Sequence, residues 1–191
     1  GTNGRALMWS PGGRYLAALS QRKTTVWDWR QGQVAVTRDF ARNDADAAAS
    51  FSANDERVVL CTGNRVAVIE CATGIELAAA ERDQRQTAFA IHPDGDQFGF
   101  IGPGGASMWS VSTKAEIFGR ELPGGAGDNF SFRHIVWSNS GKLVAGVLTD
   151  GTLLMYSRDS DKLIIRVAHV GIPGNVAFSK DSALLLTASA E

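Results

Sequence analysis

The side chains with chemistry to offer are three histidines, two cysteines and a scatter of aspartates, and their spacing decides what kind of chemistry is open to them. His92, His134 and His169 lie about 40 residues apart. No His-x-x-x-His or Cys-x-x-Cys pair sets two metal ligands side by side. Each histidine holds a different local place: His92 a turn, His134 the opening of an apolar run, His169 the approach to another. A structural role is expected for each. Asp159-Ser160-Asp161 starts like a calcium loop but lacks the glycine and closing glutamate of the twelve-residue motif. Such aspartates suit turns, where they accept hydrogen bonds from their own backbone. Gly102-Pro103-Gly104-Gly105 and the run from Pro123 to Asn129 are glycine-rich, yet neither leads into Gly-Lys-Ser/Thr, so neither reads as a phosphate cradle. The expectation is no catalytic residue, no cofactor and no metal.

Cys61 and Cys71 invite a disulfide, and strand geometry argues against one. A hairpin turning at Thr62-Gly63-Asn64 sets Cys61 opposite residues near 65 or 66 and Cys71 opposite residues near 55. The two would then be too far apart to bridge. Both read as small buried hydrophobes, in keeping with a reducing, intracellular and most simply cytoplasmic setting, with the nucleus as the other option.

These residues sit on a frame that repeats. Trp9-Ser10-Pro11-Gly12-Gly13 echoes as Phe51-Ser52-Ala53-Asn54-Asp55, Ile91-His92-Pro93-Asp94-Gly95, Trp137-Ser138-Asn139-Ser140-Gly141 and Phe178-Ser179-Lys180-Asp181-Ser182. The steps are 42, 40, 46 and 41 residues. A second echo follows in phase: Trp27, Ile69, Trp109 and Tyr156 lie 17, 17, 17 and 18 residues after their turns. A period of this length marks a repeat architecture. Within a unit the pattern is four short apolar runs separated by turns. In the first these are Ala6–Trp9, Tyr15–Leu19, Thr24–Trp27 and Val34–Thr37. Helical spacing is absent, so each unit reads as a four-stranded antiparallel sheet. A sheet with two apolar faces must bury both, and radial stacking of blades does so.

The chain is therefore expected to be an all-β propeller of about four and a half blades. Its units span residues 5–46, 47–86, 87–131, 132–174 and an incomplete 175–191. The open repeat pattern at both ends is expected to reflect a part of a longer chain, whose remaining blades would complete the ring, with self-assembly as the alternative. The Ser-Pro-Gly-Gly and His-Pro-Asp-Gly turns, Val26-Trp27-Asp28, Asp150-Gly151-Thr152 and Ala72-Thr73-Gly74 resemble the WD-repeat family of β-propellers. Only the first unit carries Trp-Asp; the others have Ile-Glu, Trp-Ser and Tyr-Ser. The resemblance implies a rigid, non-catalytic platform whose loops contact protein or peptide partners. The competing expectation is a propeller enzyme, hydrolytic or quinone-dependent, with its residues around the central channel.

A net charge of −1, with the basic residues scattered singly, argues against a nucleic-acid footprint. No apolar stretch is long enough for a membrane-spanning helix. By strand counting, one end of the blades gathers the loops near 21–23, 39–46, 62–64, 82–86, 119–130 and 149–151. Candidate partner-binding residues are Arg22, Lys23, Arg42, Arg85, Arg120, Asp128, Asn129 and Asp150, together with Trp29. Of these, Arg85, Arg120 and Asp128 are expected to share that face. The insertion from 123 to 129, which accounts for the 46-residue step, is a further place for function. Trp9, Trp27, Trp109 and Trp137 fall at repeat-defined positions and are expected in the core. Trp29 stands outside that pattern and would be a contact anchor if exposed.

Overall fold

Short β-branched and aromatic runs, broken by turn residues, can satisfy their backbone groups only by pairing with one another. The computed structural model describes residues 4–20, 23–39, 48–62, 64–81, 88–102, 105–120, 132–160, 162–168 and 173–189. Blade 1 is β1 (Gly4–Trp9), β2 (Tyr15–Ser20), β3 (Lys23–Asp28) and β4 (Gln33–Asp39). Blade 2 is β5 (Ala48–Phe51), β6 (Arg57–Thr62), β7 (Arg65–Glu70) and β8 (Glu76–Glu81). Blade 3 is β9 (Ala88–Ile91), β10 (Gln97–Gly102), β11 (Gly105–Ser110) and β12 (Glu116–Arg120). Blade 4 is β13 (Phe132–Trp137), β14 (Leu143–Leu148), β15 (Thr152–Ser157) and β16 (Lys162–Ala168). A half-blade of β17 (Pro173–Phe178) and β18 (Leu185–Ser189) follows. Every sheet is antiparallel, with its strands paired in chain order, and no helix occurs among the described residues. The fold is an all-β propeller arrangement.

The repeated turn has one physical design. In blades 1, 2, 4 and 5 the serine hydroxyl accepts the N–H of the residue five places on: Ser10 from Tyr15, Ser52 from Arg57, Ser138 from Leu143 and Ser179 from Leu184, at 2.9–3.0 Å. The residue three places after the serine adopts positive φ: Gly13, Asp55, Gly95, Gly141 and Ser182. Glycine takes that conformation without strain; Asp55 and Ser182 have other reasons to be there, given below. A second recurring feature is a register shift where β3, β7, β11 and β15 pair with the fourth strands, always just before the echo residue: Val26/Trp27, Val68/Ile69, Met108/Trp109 and Met155/Tyr156. Such bulges add twist to the strands they interrupt.

The blades pack through their first two strands. β5 lies against β9, β9 against β13 and β13 against β17, while β2, β6 and β14 reach the first strand of the next blade. Each blade presents a leading face to the next, as Tyr15, Ala17, Leu19, Val26 and Val36 do, and the next blade answers with a trailing face, here Phe51, Val58, Leu60, Ile69 and Cys71. The second interface repeats the scheme with Val59, Cys61, Val66 and Val68 against Ile91, Phe98, Phe100 and Val111.

Cys61 pairs with Val66 and the Cys71 N–H bonds to Glu56 O at 2.8 Å. Neither cysteine is in a disulfide, and both are buried, in different blade interfaces. Trp9 corrects the expectation of a core residue: it is 55% exposed, because no described blade of the chain lies against the trailing face of blade 1. Trp109 is half-buried against the core between blades 2 and 3.

Candidate interaction faces

Antiparallel pairing sorts the loops to two ends. The first-to-second and third-to-fourth strand turns share one end, the turn end. The second-to-third strand hairpins and the links between blades share the other, the connection end.

The turn end is knitted together across blades. The Asp55 carboxylate accepts the Gly12 N–H at 2.7 Å and the Arg14 N–H at 3.3 Å, so its left-handed backbone serves to place an acceptor on the neighbouring turn. Ser182 does the same for the Ser140 N–H at 3.0 Å. Ala53 donates to Pro93 O at 3.0 Å, and Arg57 reaches Gly95 O at 2.7 Å. Asn139 donates to the carbonyls of Ser179 and Lys180. His92 replaces the turn serine in blade 3 and wedges against blade 4. Its Nε2 is 3.2 Å from Gly141 O, its ring meets Trp137 edge-on at 4.8 Å, and its Nδ1 lies 2.8 Å from Asp94. The approach to Gly141 leaves no room for a side chain: a Cβ there would fall 2.3 Å from the imidazole. Burial pushes the Asp94 carboxyl up, but the hydrogen bond from His92 and the Asp96 N–H hold it below its ordinary value. The expected structural role of His92 thus becomes specific, as an inter-blade contact. His169 lies outside the described residues.

A cleft of about 560 Å³ opens at this end between blades 1 and 2. Arg14, Arg30 and Arg57 line it together with Asp55, Glu56 and Glu70. Asp28 beneath it is buried and paired to Arg14 through two contacts of 2.9 Å. Cys71 is near enough to feel Asp55; burial first, and that carboxylate second, push its thiol up to about 12. A thiol so placed stays protonated near neutrality and is a poor nucleophile. Sequence reasoning put no functional residue in this cleft. The one signal was Asp55, a non-glycine where the other complete repeats keep glycine.

The connection end carries three of the candidate residues, each from a different blade. Lys23 opens β3, its side chain exposed and its backbone bonded in both directions to the Ser20 hydroxyl. Arg120 closes β12 opposite Ala106, beside the hairpin of blade 3. Asp150 lies in the β14–β15 turn, where its carboxylate accepts the Thr152 N–H at 2.8 Å, so part of its role is to shape that turn. Arg22, Arg42, Arg85, Asp128 and Asn129 lie outside the described residues. Trp29 is exposed but sits at the turn end, in the β3–β4 turn, where its indole N–H bonds to Gly13 O and its ring stands perpendicular to Trp9 at 6.2 Å. Its repeat counterparts, Cys71 and Val111, are buried. Trp29 therefore belongs to the trailing face of blade 1 and not with the other candidates. Among the described residues no group of three His, Cys, Asp or Glu side chains is placed to hold a metal ion, and no helix is long and apolar enough to cross a membrane.

This arrangement matches solved β-propellers. The β-propeller domain of Cps50 (Swd1) from Myceliophteria thermophila superposes with a TM-score of 0.79 at 16% identity, over 99% of this chain and 63% of that one. Kuenenia stuttgartiensis hydrazine synthase gives 0.71 at 14% identity, over 94% and 53%. The chain thus spans less than two thirds of the length of either. No protein-family model and no curated protein matches it. At these identities the likeness establishes the fold, a β-propeller, and nothing finer.

Proposed function

We propose that the chain is a divergent WD-repeat-like propeller that serves as a non-catalytic platform for protein or peptide partners within a larger assembly. The observation that carries this reading is the contrast between the two ends of the blades. The turn end is tied up in contacts between neighbouring turns. The connection end carries chain links that vary from four residues (169–172) to eleven (121–131), and such variable segments on a rigid scaffold are where recognition concentrates. Lys23 and Asp150 bring charge from two blades to that end, Arg120 ends a strand of a third there, and the sequence linking the blades contains Arg42, Arg85 and Asp128. Likeness to the Swd1 propeller domain supports the reading at the level of fold; hydrazine synthase, whose name is that of an enzyme, keeps the catalytic alternative in view at the same level. Two buried cysteines outside any disulfide support an intracellular setting, the cytoplasm first.

The test compares partner capture by the tagged chain with that by two variant sets: Lys23→Glu with Arg120→Glu at the connection end, and Arg30→Glu with Glu56→Lys at the turn end. Loss confined to the first set is expected. Loss confined to the second would move the binding surface to the cleft between blades 1 and 2.

A further inference from the structure

Four of the five repeated turns are built on a serine hydroxyl, from Ser10, Ser52, Ser138 and Ser179. In blade 3 that place is taken by His92. The backbone of the turn is unchanged: the His92 N–H donates to Gln97 O at 2.7 Å, and its carbonyl accepts from Gly95 at 2.8 Å. What changes is that histidine, unlike serine, ordinarily gains or loses charge between about pH 5 and 8. The ring is buried, and each nitrogen meets an acceptor and a donor. Nδ1 lies 2.8 Å from the Asp94 carboxylate and 3.4 Å from the Asp94 backbone nitrogen. Nε2 lies 3.2 Å from Gly141 O and 3.3 Å from the Arg158 guanidinium, both of blade 4.

The two contacts at Nε2 exclude each other. A protonated Nε2 donates to Gly141 O and turns a hydrogen toward Arg158; a bare Nε2 accepts from Arg158 and turns its lone pair toward Gly141 O. At Nδ1 the carboxylate contact is the shorter of the two and charge-assisted, so it keeps a proton on that nitrogen. The neutral ring is then bare at Nε2, and the charged ring carries a proton at both nitrogens.

We propose that His92 is a proton-operated clip between blades 3 and 4: proton uptake at Nε2 exchanges its partner from the Arg158 guanidinium to the Gly141 carbonyl and releases the Arg158 side chain to the turn-end surface. One proton comes from solvent, and no other bond to the ring is made or broken. The charges around the ring fit this exchange. Burial pushes the Asp94 carboxyl up, but the His92 and Asp96 N–H bonds hold it below its ordinary value, so it stays an anion across the histidine range. Arg158 is exposed, and its side chain can move into water while its N–H stays on Lys142 O at 2.9 Å. The other charges on the turns packed here have partners of their own: Asp96 with Arg57 of blade 2 at 3.6 Å, and Lys142 with Asp159 at 3.7 Å. Trp137 against the ring, and the close approach of Gly141, hold the imidazole in place, so that Arg158 is the part that moves.

The experiment is nitrogen-15 NMR of the imidazole rings in the whole chain, from about pH 5 to 8. Substituting His134→Gln and His169→Gln in turn assigns the signals while keeping His92. The expected result is a His92 ring that carries its proton on Nδ1 at the upper end and on both nitrogens at the lower end. Arg158→Met removes a donor and a like charge from an exposed position, and should raise the midpoint of that change by about 1. Asp94→Asn should lower it. Thermal unfolding checks that both variants fold; the proton position in the parent protein needs neither. A neutral ring protonated at Nε2 overturns the proposal, because Gly141 O would then keep the same hydrogen in both states. A midpoint left unmoved by Arg158→Met overturns it as well, and so does a ring whose charge stays constant over the whole range.

Discussion

Trp9 and Phe51 stand at the same place in successive repeats, one residue before the turn serine, and have opposite surroundings. Phe51 is buried against Tyr15, Ala17 and Leu19; Trp9, the larger ring, faces outward. The difference is the neighbour and not the residue. In a stacked array, stability is a sum of intrinsic blade terms and nearest-neighbour interfaces, so a side chain contributes according to whether a blade lies against it. This gives the largest expected contrast. Phe51→Ala should destabilise by about 3–5 kcal/mol through lost burial and a cavity. Trp9→Ala, measured in dilute protein, should cost less than about 1 kcal/mol. Equal shifts in urea midpoint would mean that the two faces are not in the different environments described here.

The same pair of blades offers a second comparison, between Asp55 and Gly13. Both take the left-handed conformation three places after the turn serine, but only Asp55 adds a cap on the neighbouring turn. Asp55→Ala loses two charge-assisted hydrogen bonds and strains the backbone, for an expected cost of about 2–3 kcal/mol. Asp55→Gly relieves the strain and should cost about 1 kcal/mol less. If the two variants unfold at the same urea concentration, the backbone conformation carries none of the effect.

How far these differences were legible in the sequence depends on their range. The five turns, the strands and the hairpin register that separates Cys61 from Cys71 follow from local pattern, since each is fixed by residues a few places apart. The exposure of Trp9 departs from the expectation for the opposite reason. Repeat position identifies the face on which a residue lies, but not whether another blade covers that face, and coverage is a long-range fact. Trp29 looked like an exception to the repeat, although Cys71 and Val111 hold the corresponding positions; their small size hid the correspondence. The cleft at the turn end was missed because Arg14, Asp55 and Arg57 come together only across a blade interface. Local sequence marks His92 as a turn residue, which it is. Its contact with Gly141 and Trp137 spans more than 40 residues of sequence, which no local pattern reports.

A smaller effect should appear in the pH dependence of blade 1. Asp28 is buried and holds the Arg14 guanidinium, while Glu70, Ser110 and Ser157 occupy its place in the other blades. Burial pushes the Asp28 carboxyl up; the hydrogen bonds from Arg14 and from the Gln31 N–H outweigh it and hold the carboxyl below its ordinary value. A carboxylate lowered in the folded state stabilises the fold above its unfolded pKa, and that contribution is lost as pH falls through the folded value. Melting temperature followed from neutral pH into the acid range should therefore fall less steeply in Asp28→Asn than in the parent protein. An unchanged acid limb would show that other carboxylates dominate it.

The smallest expected change sets Trp109 against Trp27, its counterpart in blade 1. Trp109 packs against the core between blades 2 and 3, and its indole N–H is buried without a hydrogen-bond partner among the described residues. Two terms oppose each other when it becomes phenylalanine. Removing a buried, unsatisfied donor gains about 1–3 kcal/mol, while shortening the ring system loses apolar burial and leaves a small void of comparable cost. The net change should lie within about 1 kcal/mol of zero, whereas Trp109→Ala forfeits the whole ring for about 3–5 kcal/mol. Trp27→Phe lies on the uncovered face and has neither term in full, so it should leave the urea midpoint almost unmoved. A large loss in Trp109→Phe would mean that its N–H finds a partner in solution. In that case the third strand of blade 3 is held by a polar contact as well as by the packing that fixes the rest of the interface.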